Sequence, residues 1–391
     1  MLPKKETGEH GLVEKFVDQT PLEMGFQGAR RCPAKCQEVF KVVRRSQTRK
    51  QASIRMTKVS VVIPTYNQAR WIGRTLGALA NQTRLPDQVI VVDDGSTDDT
   101  VKVVEALAKR TPYAVDLVQQ KNGGPGSARN RGIEVATGDV VAFTDSDAVP
   151  RSTWLETAIG RLAQEGEDCA GIEGRVEDDQ TTPPTIRTHQ IHNLHGGHFL
   201  TCNVLYRMEC LEKVGGFHTR FREDSDLAFS LLEAGYRIVF EPQAIVDHPP
   251  REGTTWEVFK LARKRKNDAL LWSRHPQRAN EYLGSLYPPS ETLILIGELA
   301  ILAAIVSQTG WLGILGLLLL LVGLPRMVLA SLEGRQYNNR DYLIVLAIGL
   351  GLPAVNCYYR TVGTLHKPAP LSLHRGQAAE SAPANSSVDY P

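Results

Sequence analysis

Cysteine is scarce in this sequence, and charge of neither sign predominates. Six cysteines among 391 residues are scattered without the dense spacing of a disulfide-stapled secreted domain. Lys and Arg total 45 against 43 Asp and Glu, so no overall field favours a polyanion, and nucleic acid is not an expected partner. The first thirty residues hold no apolar core typical of a signal peptide. The folded part is therefore expected to be cytosolic and reduced.

Convincing zinc motifs are also missing. Cys32 and Cys36 could form half of a zinc site, but no second Cys/His pair follows at finger spacing. Four histidines between residues 189 and 198 recur at every third position, a spacing that drifts around a helix and has no evident carboxylate partner. We interpret these histidines as lining a substrate site or as ordinary loop residues.

The chain divides into four regions by pattern. Residues 1–55 are polar and rich in Lys, Arg and Gln without a sustained period, which predicts a flexible basic tail. Met56 lies directly before the first predicted strand and could itself be a start site, so the sequence leaves open whether this tail belongs to the native protein. Segment 56–285 predicts a folded domain, segment 290–360 predicts membrane-associated helices, and residues 361–391, rich in Pro, Ser and Ala, predict a disordered tail.

Segment 56–285 alternates short apolar runs with helical periodicity, which is typical of an α/β domain. The predicted strands are 59–63, 89–92, 115–118 and 140–144. Ile72, Leu76 and Leu79 lie on one face of a predicted helix between the first two strands. In open parallel sheets ligands bind beyond the carboxyl ends of the strands, and polar residues cluster directly after those ends here.

Three apolar runs, 293–306, 311–324 and 342–355, are each shorter than the roughly 20 residues that span a bilayer, although their flanks can extend them. Glu298 favours a buried helical bundle instead, but the unbroken run 317–322 favours a membrane. Basic residues lie before the first run at 263–266 and between the second and third runs, and none lies at 307–310. We therefore expect attachment to the cell inner membrane, with the folded domain in the cytoplasm.

The first two polar segments suit a nucleoside. Pro64, Thr65, Tyr66 and Asn67 directly follow the first strand and could present a backbone edge and an aromatic ring to a base. Asp94 lies in Val-Asp-Asp-Gly-Ser at the end of the second strand, where a carboxylate can accept hydrogen bonds from a base N–H or a ribose hydroxyl. An ordinary strand-to-helix turn also explains this second segment.

The next two polar segments suit a diphosphate. Segment 122–132 is a glycine-rich loop that leads into a helix, where backbone N–H groups can approach phosphate and Arg129 or Arg131 can offset its charge. It lacks the Walker Lys-Ser/Thr ending, which disfavours a P-loop ATPase. Asp145 and Asp147 follow the fourth strand, and such carboxylates repel each other unless a cation such as Mg²⁺ or Mn²⁺ lies between them.

In this order, the four segments resemble the family 2 glycosyltransferases, whose pattern is Pro-Thr-Tyr-Asn, Val-Asp-Asp-Gly-Ser, Ala-Arg-Asn and Asp-x-Asp. The resemblance covers about residues 59–248 and includes Val-Gly-Gly-Phe at 214–217. It implies the Rossmann-like GT-A fold of the α/β class, a nucleotide diphosphate sugar donor, and Mg²⁺ or Mn²⁺ as cofactor. The residues implied for the nucleotide sugar are Pro64, Thr65, Tyr66, Asn67, Asp94, Arg129, Asn130, Asp145 and Ser146.

The same resemblance implies the catalytic roles. Asp224, beside Glu223, corresponds to the catalytic base, and Asp145 and Asp147 correspond to ligands of the metal and diphosphate. His248 resembles a late histidine that completes the metal shell in some relatives, although it could equally be a loop histidine before two prolines. The processive motif Gln-x-x-Arg-Trp is absent from 256–272, which favours a transferase that makes single additions.

The implied reaction is transfer of a sugar to an acceptor hydroxyl with inversion, in surface polysaccharide or glycolipid synthesis. The acceptor would be a saccharide or a lipid-linked molecule at the membrane. One alternative is a polyprenyl-phosphate glycosyltransferase. A second alternative is a nucleotide-binding membrane scaffold without turnover, which the joint presence of a metal-type pair and a Glu-Asp pair argues against.

Overall fold

The computed structural model describes residues 57–178, 184–254, 256–366, 369–371 and 373, without the side chains of His189 and Glu252. The predicted basic tail, with Cys32 and Cys36, and most of the predicted C-terminal tail lie outside the described residues.

A mixed eight-stranded sheet forms the centre of the fold, with the strand order β3-β2-β1-β4-β8-β6-β9-β5. Strands β1 to β4 run parallel, and β8 pairs antiparallel with β4 and β6. A two-stranded ribbon joins β7 and β10. The strands are β1 Val59–Thr65, β2 Gln88–Asp93, β3 Ala114–Gln119, β4 Val140–Phe143, β5 Val149–Pro150, β6 Cys169–Glu177, β7 Thr188–His189, β8 Val204–Arg207, β9 Arg237–Asp247 and β10 Arg251–Glu252.

Helices cover the sheet and continue beyond it towards the C terminus. Those from α1 to α9 are α1 Ile72–Ala80, α2 Thr100–Ala108, α3 Pro125–Val135, α4 Trp154–Leu162, α5 Met208–Val214, α6 Glu223–Glu233, α7 Glu257–Ala262, α8 Asp268–Arg274 and α9 Pro276–Leu283, with a 3-10 turn at Arg263–Asn267. We call β1 to α9 the sheet domain. Three longer helices follow: α10 Pro289–Ser307, α11 Gly310–Leu332 and α12 Asn339–Leu365.

The expected α/β class is confirmed, and its physical basis is the burial of the parallel strands. Every residue of β2 is buried, as is every residue of β1 except Pro64, because helices cover both faces of the sheet. Helix α3 lies very close to β1, since a Cβ added at Gly132 would lie 2.3 Å from a methyl carbon of Val62. This close packing brings the N-terminus of α3 to the edge where β1, β2 and β4 end.

The apolar C-terminal helices are also confirmed. Helices α10, α11 and α12 are each long and apolar enough to cross a membrane, on length and composition alone. Helix α12 continues to Leu365, beyond the predicted start of the tail at residue 361. Leu371 and Leu373 then lie against the sheet domain, with the Leu371 amide donating to the His218 carbonyl at 2.6 Å. Composition could not predict that Leu371 and Leu373 pack on the sheet domain, because their partners are far away in the sequence.

Candidate functional site

The first two predicted segments meet at the carboxyl edge of β1 and β2. Asn67 adopts φ 53°, and its side-chain oxygen accepts the Thr97 amide at 2.8 Å while its own amide donates to Ser96 Oγ at 2.9 Å. Tyr66 is exposed and Pro64 is half-buried. Asn67 therefore joins two loops and leaves the Tyr66 ring free for a planar ligand.

Asp94 fixes the glycine-rich loop in place. Its two carboxylate oxygens accept the amides of Gly123 and Gly124 at 2.8 Å each, and Gln120 donates to it at 2.7 Å. Burial raises the pKa of Asp94, and these hydrogen bonds oppose the rise. The predicted contact between Asp94 and a nucleobase stays a prediction.

Asp93 was missed by the sequence reasoning, although it lies in the same motif as Asp94. Asp93 Oδ1 and Thr65 Oγ1 are buried and have no hydrogen-bond partner among the described residues. Buried polar atoms are normally paired, so these two atoms are better placed than the Asp94 oxygens to accept or donate to a bound nucleoside.

Arg129 bridges the two halves of the site. Its guanidinium is buried and donates to Glu223 at 2.7 Å and to Asp145 at 2.9 Å. Its position in the loop predicted that Arg129 could offset phosphate charge. In the structure its guanidinium offsets the charge of two carboxylates, and its contact with phosphate stays a prediction. The resemblance alone could not reveal the bridge, because Arg129 and Glu223 are 94 positions apart.

Asn130 supports the loop before the Glu-Asp pair. Its side chain donates to the Phe217 carbonyl and accepts the Phe217 amide, both at 2.8 Å. Both ends of its amide group are therefore engaged by backbone. Direct contact of Asn130 with a nucleotide sugar stays a prediction, and Ser146 is likewise buried beside the Asp-x-Asp carboxylates.

Asp145, Asp147 and His248 come together at the ends of β4 and β9. Each offers a ligand atom, and these atoms all lie within 4.8 Å of one another. His248 Nε2 lies 3.6 Å from Asp147 Oδ1, and both atoms are buried without a hydrogen-bond partner in the described structure. A facing pair of unpaired oxygen and imidazole nitrogen atoms fits a divalent cation. In the part of the chain that the structure describes, the histidines around residue 195 join no such group.

Arg251, on the β10 ribbon strand, is a second residue that the sequence reasoning missed. Its Nε lies 2.5 Å from Asp147 Oδ2, and its Nη2 contacts the same oxygen. The Arg251 side chain is 52% exposed while that of Asp147 is 1% exposed. The available signal was a basic residue three positions after the predicted metal histidine. A partly exposed guanidinium therefore lies against a buried carboxylate of the candidate metal group.

Glu223 and Asp224 begin α6 directly after Arg222, which adopts φ 56°. Burial, and then the negative charge of Glu223, raise the pKa of Asp224 to about 7, although the Ser225 amide, Arg129 and Arg222 oppose the rise. A carboxylate with a pKa near neutrality suits general-base chemistry.

Asp226, two residues after Asp224 in α6, has a different role. It is fully buried and contacts Arg274 at 2.7 Å and His275 at 3.2 Å. These contacts hold α6 against the C-terminal end of α8, where Arg274 is the last helical residue and His275 follows it. Asp226 is therefore a structural carboxylate, which leaves Glu223 and Asp224 as the acids that α6 contributes to the site.

Comparison with known proteins relates this chain to glycosyltransferases. The Glycosyl transferase family 2 profile matches residues 60–225. The chain is 31% identical over 206 residues to glycosyltransferase AglE of Haloferax volcanii, covering 49% of this chain and 67% of that protein. It is 28% identical over 318 residues to the pre-mycofactocin glycosyltransferase of Mycobacterium tuberculosis, covering 76% of this chain and 63% of that protein.

Among solved structures, the mannosyltransferase PcManGT from Pyrobaculum calidifontis, in complex with GDP-Man and Mn²⁺, superposes with a TM-score of 0.49 at 19% identity, covering 79% of this chain and 87% of that one. The family profile, the level of identity to AglE and the order of the motifs around the sheet edge agree with one another. The chain belongs to glycosyl transferase family 2, with a GT-A-like mixed α/β sheet followed by three long apolar helices.

Proposed function

We propose that this chain transfers a sugar from a nucleoside diphosphate donor to an acceptor hydroxyl, with inversion, at a membrane surface. The main support for the proposal is that Arg129 pairs both with the candidate metal group and with the Glu-Asp pair at the start of α6. Asp145, of the candidate metal group, lies on one side of the guanidinium, and Glu223, next to Asp224, lies on the other. A scaffold that only bound nucleotide would not need a near-neutral carboxylate beside its metal group.

The donor side is built from the carboxyl ends of β1, β2 and β4. In this proposal Thr65, Tyr66 and Asp93 bind the nucleoside, supported by the exposed ring of Tyr66 and the unpaired buried oxygens of the other two. Asp145, Asp147 and His248 would hold Mg²⁺ or Mn²⁺, which supplies Lewis-acid stabilisation of the charge that develops on the departing diphosphate. The exposed guanidinium of Arg251 lies beside these residues and carries a charge that complements the diphosphate.

Asp224 acts on the acceptor. Its carboxylate takes the proton of the acceptor hydroxyl while that oxygen forms a bond to the anomeric carbon and the bond from that carbon to the diphosphate breaks. Attack on the face opposite the leaving group inverts the configuration. The Glu223 carboxylate, next to Asp224, is paired with Arg129. Asp224 is therefore the carboxylate of this pair that receives the proton.

The proposal is tested by incubating the purified full-length chain with individual nucleotide sugars and measuring donor hydrolysis with and without Mn²⁺ or Mg²⁺. Metal-dependent release of nucleoside diphosphate from at least one donor supports the proposal and names the sugar. Binding of nucleoside diphosphate without turnover, for every donor and with acceptors present, would favour the scaffold.

A polyprenyl-phosphate acceptor is a second candidate, favoured by basic residues at the boundary with the apolar helices. Arg263, Lys264 and Lys266 are exposed in the 3-10 turn that packs against α12. They could contact a lipid phosphate. A phosphate oxygen is already a charged nucleophile and needs no strong base, so this candidate predicts little dependence on Asp224.

The pH dependence of transfer should report the Asp224 carboxyl. Its pKa is raised to about 7, and the protonated acid cannot accept a proton, so kcat/KM should rise as the pH increases through about 7 and then level off. The measurement is kcat/KM between pH 5 and about 9 at saturating metal. Donor affinity, titrated over the same range, should not follow this curve. A limb near the ordinary aspartate pKa, about 4, would contradict the assignment.

Replacing Arg251 by Ala should raise the affinity for metal alone and lower the affinity for nucleoside diphosphate. Without the guanidinium, Asp147 loses a competing cation, so Mn²⁺ alone should bind about 10-fold more tightly, since like charges a few ångströms apart cost roughly 1 to 4 kcal/mol near a protein surface. Nucleoside diphosphate in the presence of Mn²⁺ should bind more weakly. Electron paramagnetic resonance of free Mn²⁺ and calorimetry measure the two effects.

The matched control is Arg161→Ala, which removes a half-buried arginine of α4 that pairs with Glu165 at 2.8 Å rather than with the candidate metal group. It should leave both affinities unchanged. Weaker Mn²⁺ binding by Arg251→Ala would show that the guanidinium does not compete with the cation.

A further inference from the structure

Helix α12 has two different faces from Val345 to Gly363. The buried face is continuous and contains Val345, Gly349, Pro353, Asn356, Arg360 and Gly363. The opposite face exposes large apolar side chains: Leu343 at 63%, Leu350 at 39%, Tyr358 at 62% and Leu365 at 72%. One side of α12 is therefore covered by protein and includes an arginine and an asparagine, while the other side is an uncovered apolar stripe.

The start of α12 is fastened to the sheet domain. Directly before the helix, Arg335 Nη1 donates to the carbonyls of Thr185 and Thr188 at 3.1 and 3.0 Å, and the Gln336 amide donates to the Pro184 carbonyl at 2.8 Å. Thr188 belongs to β7, which pairs with the β10 strand that carries Arg251. The N-terminus of α12 thus lies on the side of the sheet domain.

The end of α12 is fastened to the same domain. Arg360 is 4% exposed and lies between Glu291, 2.6 Å away at the start of α10, and Asp268, 3.5 Å away at the start of α8. A Cβ added at Gly363 would lie 1.9 Å from the Lys266 carbonyl oxygen, so the two backbones are in direct contact.

Beyond the helix, the chain stays on this side. The Leu371 amide donates to the His218 carbonyl at 2.6 Å, and the His218 ring contacts the Leu371 carbonyl at 3.1 Å. Leu373 packs on the core cluster of the sheet domain. Both flanks of α12 are therefore bonded to the domain that precedes the apolar helices.

Such a helix cannot cross a bilayer. A helix of 27 residues is about 40 Å long, and the hydrocarbon layer is about 30 Å thick, so a crossing helix places its two ends on opposite sides. Composition cannot detect this, because α12 passes the same length and hydropathy test as α10 and α11.

Helices α10 and α11 have the opposite character. They form an antiparallel hairpin in which a Cβ at Gly297 would lie 2.9 Å from the Gly316 carbonyl oxygen. In the described structure, α12 touches this hairpin near its base: Gly349 lies against Leu324, and Asn356 donates to Glu291 at 3.2 Å. The far end of the hairpin, around Ala304 and Gly313, extends away from these contacts.

We infer that α12 lies in the plane of the membrane interface with its apolar stripe against lipid, and that only the α10–α11 hairpin crosses the bilayer. The occupant of the stripe is lipid because the exposed apolar surface continues onto the hairpin, where Leu321 is 70% and Leu329 is 68% exposed. The inference rests on the membrane attachment proposed above and adds the topology.

This arrangement connects the membrane surface to the catalytic helix. Asp268, whose side chain is 1% exposed, also accepts Arg222 Nε at 3.0 Å, and Arg222 directly precedes Glu223 and Asp224. The buried Asp268 carboxylate therefore links Arg360 of α12 to Arg222, next to the Glu-Asp pair. The active site is held at the lipid surface, which suits an acceptor presented by the membrane.

The topology is tested with single added cysteines in the full-length chain, in sealed vesicles of one orientation, using a membrane-impermeant maleimide. The positions are Lys109→Cys on the sheet domain, Ser307→Cys at the tip of the hairpin, Tyr337→Cys before α12 and His366→Cys after it. The unsubstituted chain gives the baseline from its native cysteines. We expect Lys109→Cys, Tyr337→Cys and His366→Cys to be labelled from one side and Ser307→Cys from the other. Labelling of His366→Cys together with Ser307→Cys would overturn the inference.

Depth gives an independent readout. A fluorophore on Leu350→Cys should be quenched most by lipids brominated near the headgroup, and one on Leu318→Cys by lipids brominated deep in the acyl chains. Deep quenching of both would mean that α12 crosses the bilayer. A full-length chain that stays soluble without detergent would contradict membrane attachment itself, whereas a membrane-bound chain with the wrong labelling pattern contradicts only the topology.

Discussion

Replacing Asp224 by Asn is expected to lower kcat for transfer to a hydroxyl acceptor by about 10² to 10⁴. The amide keeps the size of the side chain and can still accept the Ser225 amide, which donates to Asp224 Oδ1 at 2.7 Å. It cannot take up the proton of the attacking hydroxyl. Donor affinity should hardly change, because the metal group is on the other side of Arg129.

The measurements are single-turnover transfer and calorimetric titration of nucleoside diphosphate with Mn²⁺. Asp99→Asn is the matched control: it removes a carboxylate that is 69% exposed and pairs with Lys102 on the surface, and it should leave both quantities unchanged. Near-normal transfer by Asp224→Asn to a hydroxyl acceptor would show that another group is the base. Near-normal transfer to a phosphate acceptor alone would support the polyprenyl-phosphate candidate.

Replacing Asp147 by Asn is expected to weaken metal-dependent binding of nucleoside diphosphate by about 10- to 100-fold or more, and to lower turnover with it. An amide oxygen is a poorer ligand than a carboxylate for a divalent cation. Asp147 is 2% exposed and its Oδ1 is unpaired in the described structure, so water cannot readily replace the lost ligand. This result would separate Asp147 from Asp224, whose loss should spare binding.

The titration is performed at several Mn²⁺ concentrations, with Asp99→Asn again as the control. Arg251 also loses its partner in this variant, so thermal unfolding should be recorded to show that the fold persists. Unchanged dependence of nucleotide affinity on Mn²⁺ would show that the metal, if bound, is held elsewhere.

The local patterns of the chain were sufficient to predict the α/β class. The runs that became β1, β2 and β4 are apolar because the strands are buried on both faces, and this requirement is visible in a few consecutive residues. The strand-end motifs were found for the same reason, because the polar motifs that contain Asp94 and Asp145 begin where apolar runs end. His248 was predicted only from the family resemblance. The structure adds that its Nε2 lies 3.6 Å from Asp147 Oδ1, and its binding of a metal stays a prediction.

Long-range pairing could not be predicted in this way. Arg251 contacts Asp147, which is 104 positions away in the sequence. Arg129 contacts Glu223, which is 94 positions away. The partners of a charged side chain depend on how the sheet and its loops bring strand ends together. For that reason only the structure shows that Arg129 and Asp94 hold neighbouring loops and helices together. It also shows that Arg251 lies beside the candidate metal group.

The sequence by itself determined the α/β sheet, the order of motifs at its edge and the presence of three apolar helices, because each follows from hydrophobic period, chain direction and composition over short stretches. Only the tertiary structure decided which charges meet and how the apolar helices are arranged. Hydropathy measures the transfer of side chains out of water and contains no information on which side a helix ends. The contacts of Arg335 before α12, and of Arg360 and Gly363 near its end, supply that information.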